Sequence, residues 1–244
     1  MKTEKPIDIL ENIFSRDITV KSISIATHTV ALKTAKRICK EKNYDVHLVK
    51  ESGSKEIFLY RKANQSVQPL SVNDVVSDST PVFDVLRILQ NQSYLFVKEK
   101  DKITRIVTRA DWDSIPVRIF LFGMISLFEQ QIRDFTIEKE FDWEQDIPTD
   151  SLKSAKKHFA KKKKIDQEVR LIDCLYFPDL KYIIQKNYEE FEKKIGPDYL
   201  EKVLESLEKL REVRNDLAHS KPLKYPFNEV FELLALAGEV VKRL

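Results

Sequence analysis

The sequence has 244 residues, of which 42% are hydrophobic and 33% are charged, and its formal net charge is +3. This length is enough for one large domain or two small ones, and the composition is typical of a soluble globular protein. The stretch that comes nearest to a membrane span, "IFLFGMISLF" at 119–128, is much shorter than the roughly 20 residues required. The start, "MKTEKPIDIL", lacks the apolar core of a signal peptide, so we expect a cytoplasmic protein without a membrane segment.

The numbers and positions of glycine and cysteine argue against two common kinds of binding site. With four glycines in total, the chain contains neither the GxGxxG fingerprint nor a P-loop that would cradle phosphate. The cysteines, Cys39 and Cys174, lie far apart, and neither has a second cysteine or a histidine at the spacing of zinc ligands. We therefore expect two buried thiols and no metal site.

Residues up to about 112 alternate between strand and helix patterns. Two helices are predicted at 29–42 and 80–92, because apolar residues recur every three or four positions after a threonine, Thr29 or Thr80, that can cap the helix. Pro81 would take the first helical position. Five strands are predicted from short β-branched and aromatic runs: "SISIAT" (22–27), "DVHLVKE" (45–51), "EIFLYR" (56–61), "YLFVKE" (94–99) and "ITRIVT" (103–108).

These elements form a weak internal repeat. A strand, a β-hairpin and a further helix surround each of the two helices, which predicts two β-α-β-β-α units. Such units should pack against each other, because neither can bury its own apolar face. The helices align through the pairs Thr29/Thr80, Leu32/Phe83, Ala35/Leu86 and Ile38/Leu89.

The chain from Pro116 onward contains almost no strand pattern. Pro116 can start a long helix at 117–140, and four further stretches have helical periodicity: "DIPTDSLKSAKKHFAKKKK", "LIDCLYFPDLKYIIQKNYEEFEKKI", "GPDYLEKVLESLEKLREVRNDLAH" and "PFNEVFELLALAGEVVKRL". We therefore predict an α+β domain at 1–115, followed at 116–244 by an all-α bundle of four to six helices.

"RIVTRADW" (105–112) is the most informative motif of the first half. Thr108 ends a strand and Asp111 follows three residues later, which is the spacing of a capping box at a helix start. Placed in the second copy of a tandem repeat, this Thr-x-x-Asp resembles the motif of cystathionine-β-synthase (CBS) domain pairs. The resemblance covers roughly residues 16–115. It implies that the Thr108 hydroxyl and the Asp111 carboxylate hold the phosphate and ribose of an adenine nucleotide, a regulatory ligand.

The chain departs from the CBS pattern in two places. The first copy, "IFLYRKANQ", has no threonine or serine followed by an acid, and Arg105 stands where a glycine often precedes the second strand. At most one competent cleft is therefore expected, with the adenine against strand residues 94–97. Some CBS pairs bind no nucleotide and simply dimerise.

"REVRNDLAHS" (211–220) is the most informative motif of the second half. Arg214 falls on the three/four spacing of the apolar residues of its helix, and His219 lies where that helix should end before Pro222. In one interpretation Arg214 pairs with an acid such as Glu129, and His219 caps the last carbonyls. In the other, the two residues form a catalytic site. The apolar positions are Leu200, Val203, Leu204, Leu207, Leu210 and Leu217.

"RNDLAH" at the end of a long helix, with "LFEQQIRDF" in the first helix of the same domain, resembles the HEPN superfamily over about 116–244. That superfamily is built around Arg-x(4–6)-His, and many members are metal-independent endoribonucleases that dimerise so that two Arg/His sets line one cleft. The resemblance implies a homodimer that acts on RNA without a catalytic cofactor. Its catalytic residues would be Arg214, Asn215 and His219, supported by Asp216. Glu129 and Arg133, one turn apart on the first helix, either brace this site, with Glu129 against Arg214, or form an ordinary surface pair.

The chemistry of these residue types fits RNA cleavage. RNA carries its own nucleophile, the 2′-hydroxyl, so the reaction needs a proton acceptor, a proton donor and stabilisation of charge on phosphorus. Histidine titrates near neutral pH, and arginine is always charged and binds phosphate through parallel N–H bonds. The seven lysines of "KSAKKHFAKKKK" (153–164) are either a solvated face or a source of attraction to backbone phosphates.

We therefore expect a metal-independent endoribonuclease that leaves a cyclic phosphate and is regulated by an adenine nucleotide, in stress response or phage defence. The alternative is a non-catalytic nucleotide-sensing regulator, in which the helical domain is a dimerisation or partner-binding module.

Overall fold

The structure, a computed structural model, describes residues 18–165 and 168–244. The expectation that the first residues lack a signal peptide therefore lies outside the described residues. Within the described part, the chain divides after Ser114 into two compact units, a mixed α+β unit and a helical unit. The predicted fold class, an α+β part followed by an all-α part, is confirmed at this level.

The α+β unit contains two sheets and two α-helices among its described residues. The first sheet has the strand order β1-β7-β6-β5 and the second has the order β2-β3-β4. All pairs are antiparallel except β5 with β6. Three 3₁₀ helices, Val20–Ser22, Val72–Asp74 and Arg109–Asp113, complete the unit. Its other elements are β1 (Ile25–Ala26), α1 (Leu32–Glu41), β2 (Val46–Val49), β3 (Phe58–Arg61), β4 (Ser66–Pro69), β5 (Val75–Ser77), α2 (Val82–Leu89), β6 (Tyr94–Glu99) and β7 (Lys102–Thr108).

The core of this unit lies between the two sheets. Leu48 and Leu59 of the second sheet pack with Tyr94 and Phe96 of the first. Because successive side chains of a strand point to opposite faces, Leu95 and Val97 of β6 are buried on the other side of their sheet. Helix α1 covers the outer face of the second sheet through Ala35 and Cys39, which pack with Val49 and Tyr60.

Both cysteines are free and buried, as predicted. Desolvation by burial raises the pKa of the Cys39 thiol. The charge of Lys62 lowers this pKa by a smaller amount, and the charge of Asp45 raises it slightly further. The thiol therefore stays protonated and acts as a small apolar side chain.

The internal repeat is visible, but its two copies end differently. In each copy a segment before the helix pairs in parallel with the strand after it: Val30 with Val49 in the first, and β5 with β6 in the second. A β-hairpin follows in both. The predicted further helix of the first copy is wrong, because Ser66–Pro69 pairs with β3 as a third strand. In the second copy the hairpin is followed by the 3₁₀ helix Arg109–Asp113.

Three local predictions for this unit are corrected. The N-cap of α1 is Ala31 and that of α2 is Pro81, so neither Thr29 nor Thr80 caps its helix through a side chain. In the predicted strand at 22–27, Ile25–Ala26 alone pairs with β7, and Val20–Ser22 forms a 3₁₀ turn. Strands β4 and β5 were not predicted; they are short, polar or both.

The helical unit contains seven α-helices in its described part, which has no strand. Gly196, at φ +96°, separates two of the helices in a conformation that an L side chain rarely adopts. The elements are α3 (Ile115–Glu138), α4 (Trp143–Asp146), α5 (Thr149–Lys163), the 3₁₀ turn Leu171–Cys174, α6 (Phe177–Lys186), α7 (Tyr188–Ile195), α8 (Pro197–Ala218) and α9 (Phe227–Arg243).

Helices α3, α8 and α9 pack against one another and form the centre of this unit. A β-carbon on Gly238 of α9 would lie 3.4 Å from the Met124 side chain of α3, which shows how closely those two helices approach. By length and composition α3 could cross a membrane, but half of its apolar stretch is buried inside the unit. Burial of this kind is expected where a helix packs in a protein core.

Candidate functional site

Helix α8 places the two residues of the Arg-x4-His motif. Its buried positions are Leu200, Val203, Leu207, Leu210, Val213 and Leu217. Val213 is the next buried position after Leu210, on the same side of the helix as Arg214. With 3.6 residues per turn, Arg214 falls inside the arc that these positions span, between Val203 and Leu207; its Nε is buried, although the side chain as a whole is 40% exposed.

Glu129 holds two arginines. It projects from α3, is 5% exposed, and accepts a hydrogen bond of 3.0 Å at Oε2 from Nη2 of Arg133, which is 8% exposed. The same Arg133 nitrogen donates to the Leu175 carbonyl at 3.3 Å. On the other side Oε1 lies 3.3 Å from Nε of Arg214. Glu129 Oε1 and Arg214 Nε are both buried, and neither makes an aligned hydrogen bond, so the attraction between them is electrostatic.

Polar contacts fix the chain that follows Arg214. Arg214 Nη1 donates to Asn215 Oδ1 at 3.5 Å, at the limit of a hydrogen bond. The Asp216 carboxylate accepts from the backbone N–H of Lys224 at 3.3 Å. Arg118 of α3 donates to the carbonyls of Asp216, at 3.2 Å, and Lys221, at 2.6 Å. The segment between α8 and α9 is therefore tied to both α3 and α8.

Glu212 anchors the far end of this segment. Its carboxylate accepts from Nζ of Lys224, at 2.8 Å and 3.0 Å, and from the Tyr225 hydroxyl. These hydrogen bonds, first that of Lys224 and then that of Tyr225, lower the pKa of Glu212. The bond to Glu212 in turn raises the pKa of Tyr225.

His219 ends α8. Its backbone N–H donates to the Asn215 carbonyl at 3.1 Å, and Ser220 then takes a positive φ of 53° that turns the chain out of the helix. The imidazole is exposed and makes no hydrogen bond with the described residues. The interpretation that the His219 side chain caps the last carbonyls is therefore not what the structure shows, since the backbone does the capping.

The structure brings Glu129, Arg133, Arg214 and Asn215 into one chain of contacts and puts an exposed imidazole one turn beyond them, at the helix end. Asp216 acts as an anchor of the following loop. Sequence reasoning missed Arg118, although a lone arginine near the start of an apolar helix could have marked it. No group of three or more histidine, cysteine or acidic side chains that could hold a metal occurs within residues 18–165 and 168–244.

The α+β unit contains a separate cleft of about 430 Å³ between its two sheets. Apolar side chains of β6, Tyr94 and Phe96, form one wall, and Thr108 and His47 lie among the polar groups. The His28 and His47 rings meet edge to face with centroids 6.1 Å apart. Of the predicted adenine wall at 94–97, Tyr94 and Phe96 line this cleft, whereas Leu95 and Val97 lie on the other face of the sheet.

Thr108 and Asp111 have different positions relative to this cleft. Thr108 lines it and Asp111 does not. Oδ2 of Asp111 accepts from the Thr108 N–H at 2.7 Å and from the Thr108 hydroxyl at 2.8 Å, as a helix-start carboxylate does. Neighbouring Arg109 donates to the carbonyls that end α2, at Leu89, Gln90 and Gln92. Asp111 therefore orients Thr108 from behind.

Comparison of the chain with protein-family models, with curated proteins and with solved structures finds no match. The resemblances to CBS pairs and to the HEPN superfamily rest on the motifs alone and stay predictions.

Proposed function

We propose that the helical unit is a metal-independent endoribonuclease. The observation that carries this proposal is the placement of Arg214: buried Glu129 holds one side of its guanidinium, and the side chain remains 40% exposed beside the exposed end of α8, where His219 lies. A cation that is oriented from behind and open in front is suited to bind a phosphate that arrives from solvent.

The reaction follows from these groups. His219 accepts the proton of the ribose 2′-hydroxyl, whose oxygen attacks phosphorus while the bond to the 5′-oxygen breaks. Arg214, with Asn215 beside it, stabilises the charge on the non-bridging oxygens. The leaving 5′-oxygen takes a proton from a second histidine, which a homodimer would supply. The products are a 2′,3′-cyclic phosphate and a 5′-hydroxyl.

We further propose that the cleft of the α+β unit binds an adenine nucleotide that regulates the cleavage, in a cytoplasmic stress or defence response. Thr108 and the Tyr94/Phe96 wall support this assignment, since a ribose phosphate needs a hydroxyl and an adenine needs an apolar surface. A single residue, Ser114, separates the 3₁₀ helix Arg109–Asp113 from α3, which carries Glu129. Thr108 begins that 3₁₀ helix, so six residues, 109–114, connect it to the helix that carries Glu129.

The test is incubation of purified full-length protein with a mixed RNA pool in EDTA, with and without adenine nucleotides. Wild-type protein is expected to cut the RNA, and His219→Ala and Arg214→Ala are each expected to lower the rate at least about 100-fold. Arg211→Ala is the matched control, because Arg211 lies one turn earlier and pairs with exposed Glu208. Intact RNA with wild-type protein under every condition contradicts the proposal, as does equal cleavage by all variants.

One observation favours the alternative of a non-catalytic regulator: Arg214 already has a carboxylate partner in Glu129, as a structural arginine would. In that case the helical unit binds a partner or dimerises. The wild type then has no nuclease activity, and Arg214→Ala changes the stability of the protein.

A further inference from the structure

Lysines cover the exposed side of α5 and the residue after it. Six of the seven lysines of this stretch fall within an arc of roughly 160° when each residue advances about 100° around an ideal helix. Leu152, Ala155 and Phe159 lie together beside one edge of this arc, where Lys163 Nζ is 5.6 Å from the centre of the Phe159 ring, and Ala155 is 1% exposed. Packing of that apolar side therefore turns the lysines to solvent. We call these six the lysine face: Lys153, Lys156, Lys157, Lys161, Lys163 and Lys164.

Residues of the described ranges leave most of the positive charge on the lysine face without a counter-ion. Lys156 pairs with Glu144 at 2.8 Å and Lys153 with Asp150 at 3.4 Å. The other four lysines form no ion pair with any residue of the described ranges. Lysines four residues apart, such as Lys157 and Lys161, repel each other and weaken the helix. Lys161 and Lys163 lie in the last turn of α5, where positive charge favours the helix dipole, and an anion bound to this face would relieve the repulsion that remains.

The spacing of the lysine face suits a chain of anions. Lys153, Lys157 and Lys161 follow one another every four residues, which is about 6 Å along the helix axis. Successive phosphates of an extended nucleic-acid strand are separated by a similar distance. The lysine side chains are long and mobile, so they can follow such a backbone without fixing its sequence.

An aromatic pair borders the lysine face. The Tyr176 hydroxyl and His158 Nε2 lie 2.9 Å apart in a hydrogen bond, and their rings meet edge to face at 5.9 Å. Tyr176 is 53% exposed, and its backbone N–H donates to Asp179 at the start of α6, which holds it in place. An exposed, fixed aromatic ring beside a row of cations is the combination that binds single-stranded nucleic acid, through phosphates and a stacked base.

We propose that the lysine face and Tyr176 form a docking surface for single-stranded RNA, which binds through its phosphates with one base stacked on Tyr176. This inference rests on the proposed function, because it assigns to that nuclease the surface that recruits its substrate without sequence preference.

The test is fluorescence anisotropy of a labelled single-stranded RNA, with every protein carrying His219→Ala so that the RNA stays intact. Replacement of Lys157, Lys161 and Lys164 by Gln is expected to weaken binding at least about tenfold at low salt. Three lost phosphate contacts, at about 0.7 each, should also reduce the slope of log affinity against log salt by about 2. The matched control replaces Lys33, Lys36 and Lys40 by Gln, because these are also exposed on a helix but belong to the α+β unit. That control should change affinity less than about twofold.

Tyr176 is tested separately. Tyr176→Phe keeps the ring and should bind as the parent does, whereas Tyr176→Ala should weaken binding about fivefold or more. Unchanged RNA affinity in the triple lysine variant, or an equal loss in its control, overturns the proposal. Binding of the lysine face to phosphatidylserine vesicles, with no binding to RNA, also overturns the proposal.

Cleavage assays separate this proposal from the nuclease itself. With the site intact, the triple lysine variant should raise KM and leave kcat unchanged, and unchanged KM contradicts the docking role. If wild-type protein binds RNA through the lysine face but never cuts it, the nuclease proposal fails and the docking surface stands.

Discussion

Removal of the charge of Glu129 should destabilise the helical unit. Glu129→Gln keeps the shape and one acceptor but leaves Arg133, 8% exposed, without its counter-ion. Loss of one partner of a buried ion pair costs about 3–5 kcal/mol, and the retained amide acceptor puts this change near the lower end. Arg214 is 40% exposed, so its lost ion pair adds about 0.5 kcal/mol. We expect a total loss of about 3–4 kcal/mol in the free energy of unfolding.

The assay is urea unfolding of the full chain in a Trp112→Phe background, so that the fluorescence of Trp143, 8% exposed in the helical unit, reports that unit alone. Glu208→Gln is the control, because this exposed acid also pairs with an arginine of α8 and should cost less than about 0.5 kcal/mol. In a double-mutant cycle, Glu129→Gln should couple more strongly to Arg133→Gln than to Arg214→Gln. A cost for Glu129→Gln below about 1 kcal/mol would refute the buried-charge account.

Two further predictions concern the loop after α8 and the cleft of the α+β unit. Because its partners lower the pKa of Glu212, its hold on the loop is complete above its ordinary pKa of 4.5 and is lost only as the pH falls through the lowered value. NMR shifts of the Lys221 and Lys224 amides should therefore stay constant from pH 7 to 5 and move below pH 4.5. In Glu212→Gln these shifts should differ from those of the wild type at every pH. A transition of the wild type above pH 4.5 contradicts the prediction. In a thermal-shift assay, ATP at about 100 times its Kd should add about 2.7 kcal/mol of stability to the wild type, and Thr108→Val should remove most of this gain. No shift of the wild type would remove the sensor role.

Strands and helices with a strong apolar pattern could be predicted from the sequence, and weakly patterned ones could not. Strands β2, β3, β6 and β7 are rich in β-branched and aromatic residues and lie where predicted. Strand β4, "SVQP", is half-buried or exposed throughout and exists because its backbone pairs with β3. Strand β5 has three residues and is defined by its parallel pairing with β6. Such pairing is non-local, so no local pattern reports it.

The candidate site was predictable to a similar extent. The end of the helix at His219 could be predicted from Pro222. The contact of Glu129 with Arg214 could be predicted because a half-buried arginine needs a counter-ion. The direction of Arg214 follows from its spacing, but its 40% exposure does not, because the spacing says nothing of how much of a side chain near the helix end is covered. Arg118 could not be paired from sequence, since its acceptors are backbone carbonyls of a loop.

The central claim is that the helical unit cuts RNA by attack of the 2′-hydroxyl. The most direct measurement is the end chemistry of the products in EDTA, with a second substrate that carries a single 2′-deoxy nucleotide at the mapped cleavage position. The account predicts 2′,3′-cyclic phosphate and 5′-hydroxyl ends, no cleavage at the deoxy position, and loss of both products in His219→Ala. Products with 3′-hydroxyl and 5′-phosphate ends, or cleavage that continues at the deoxy position, would contradict it.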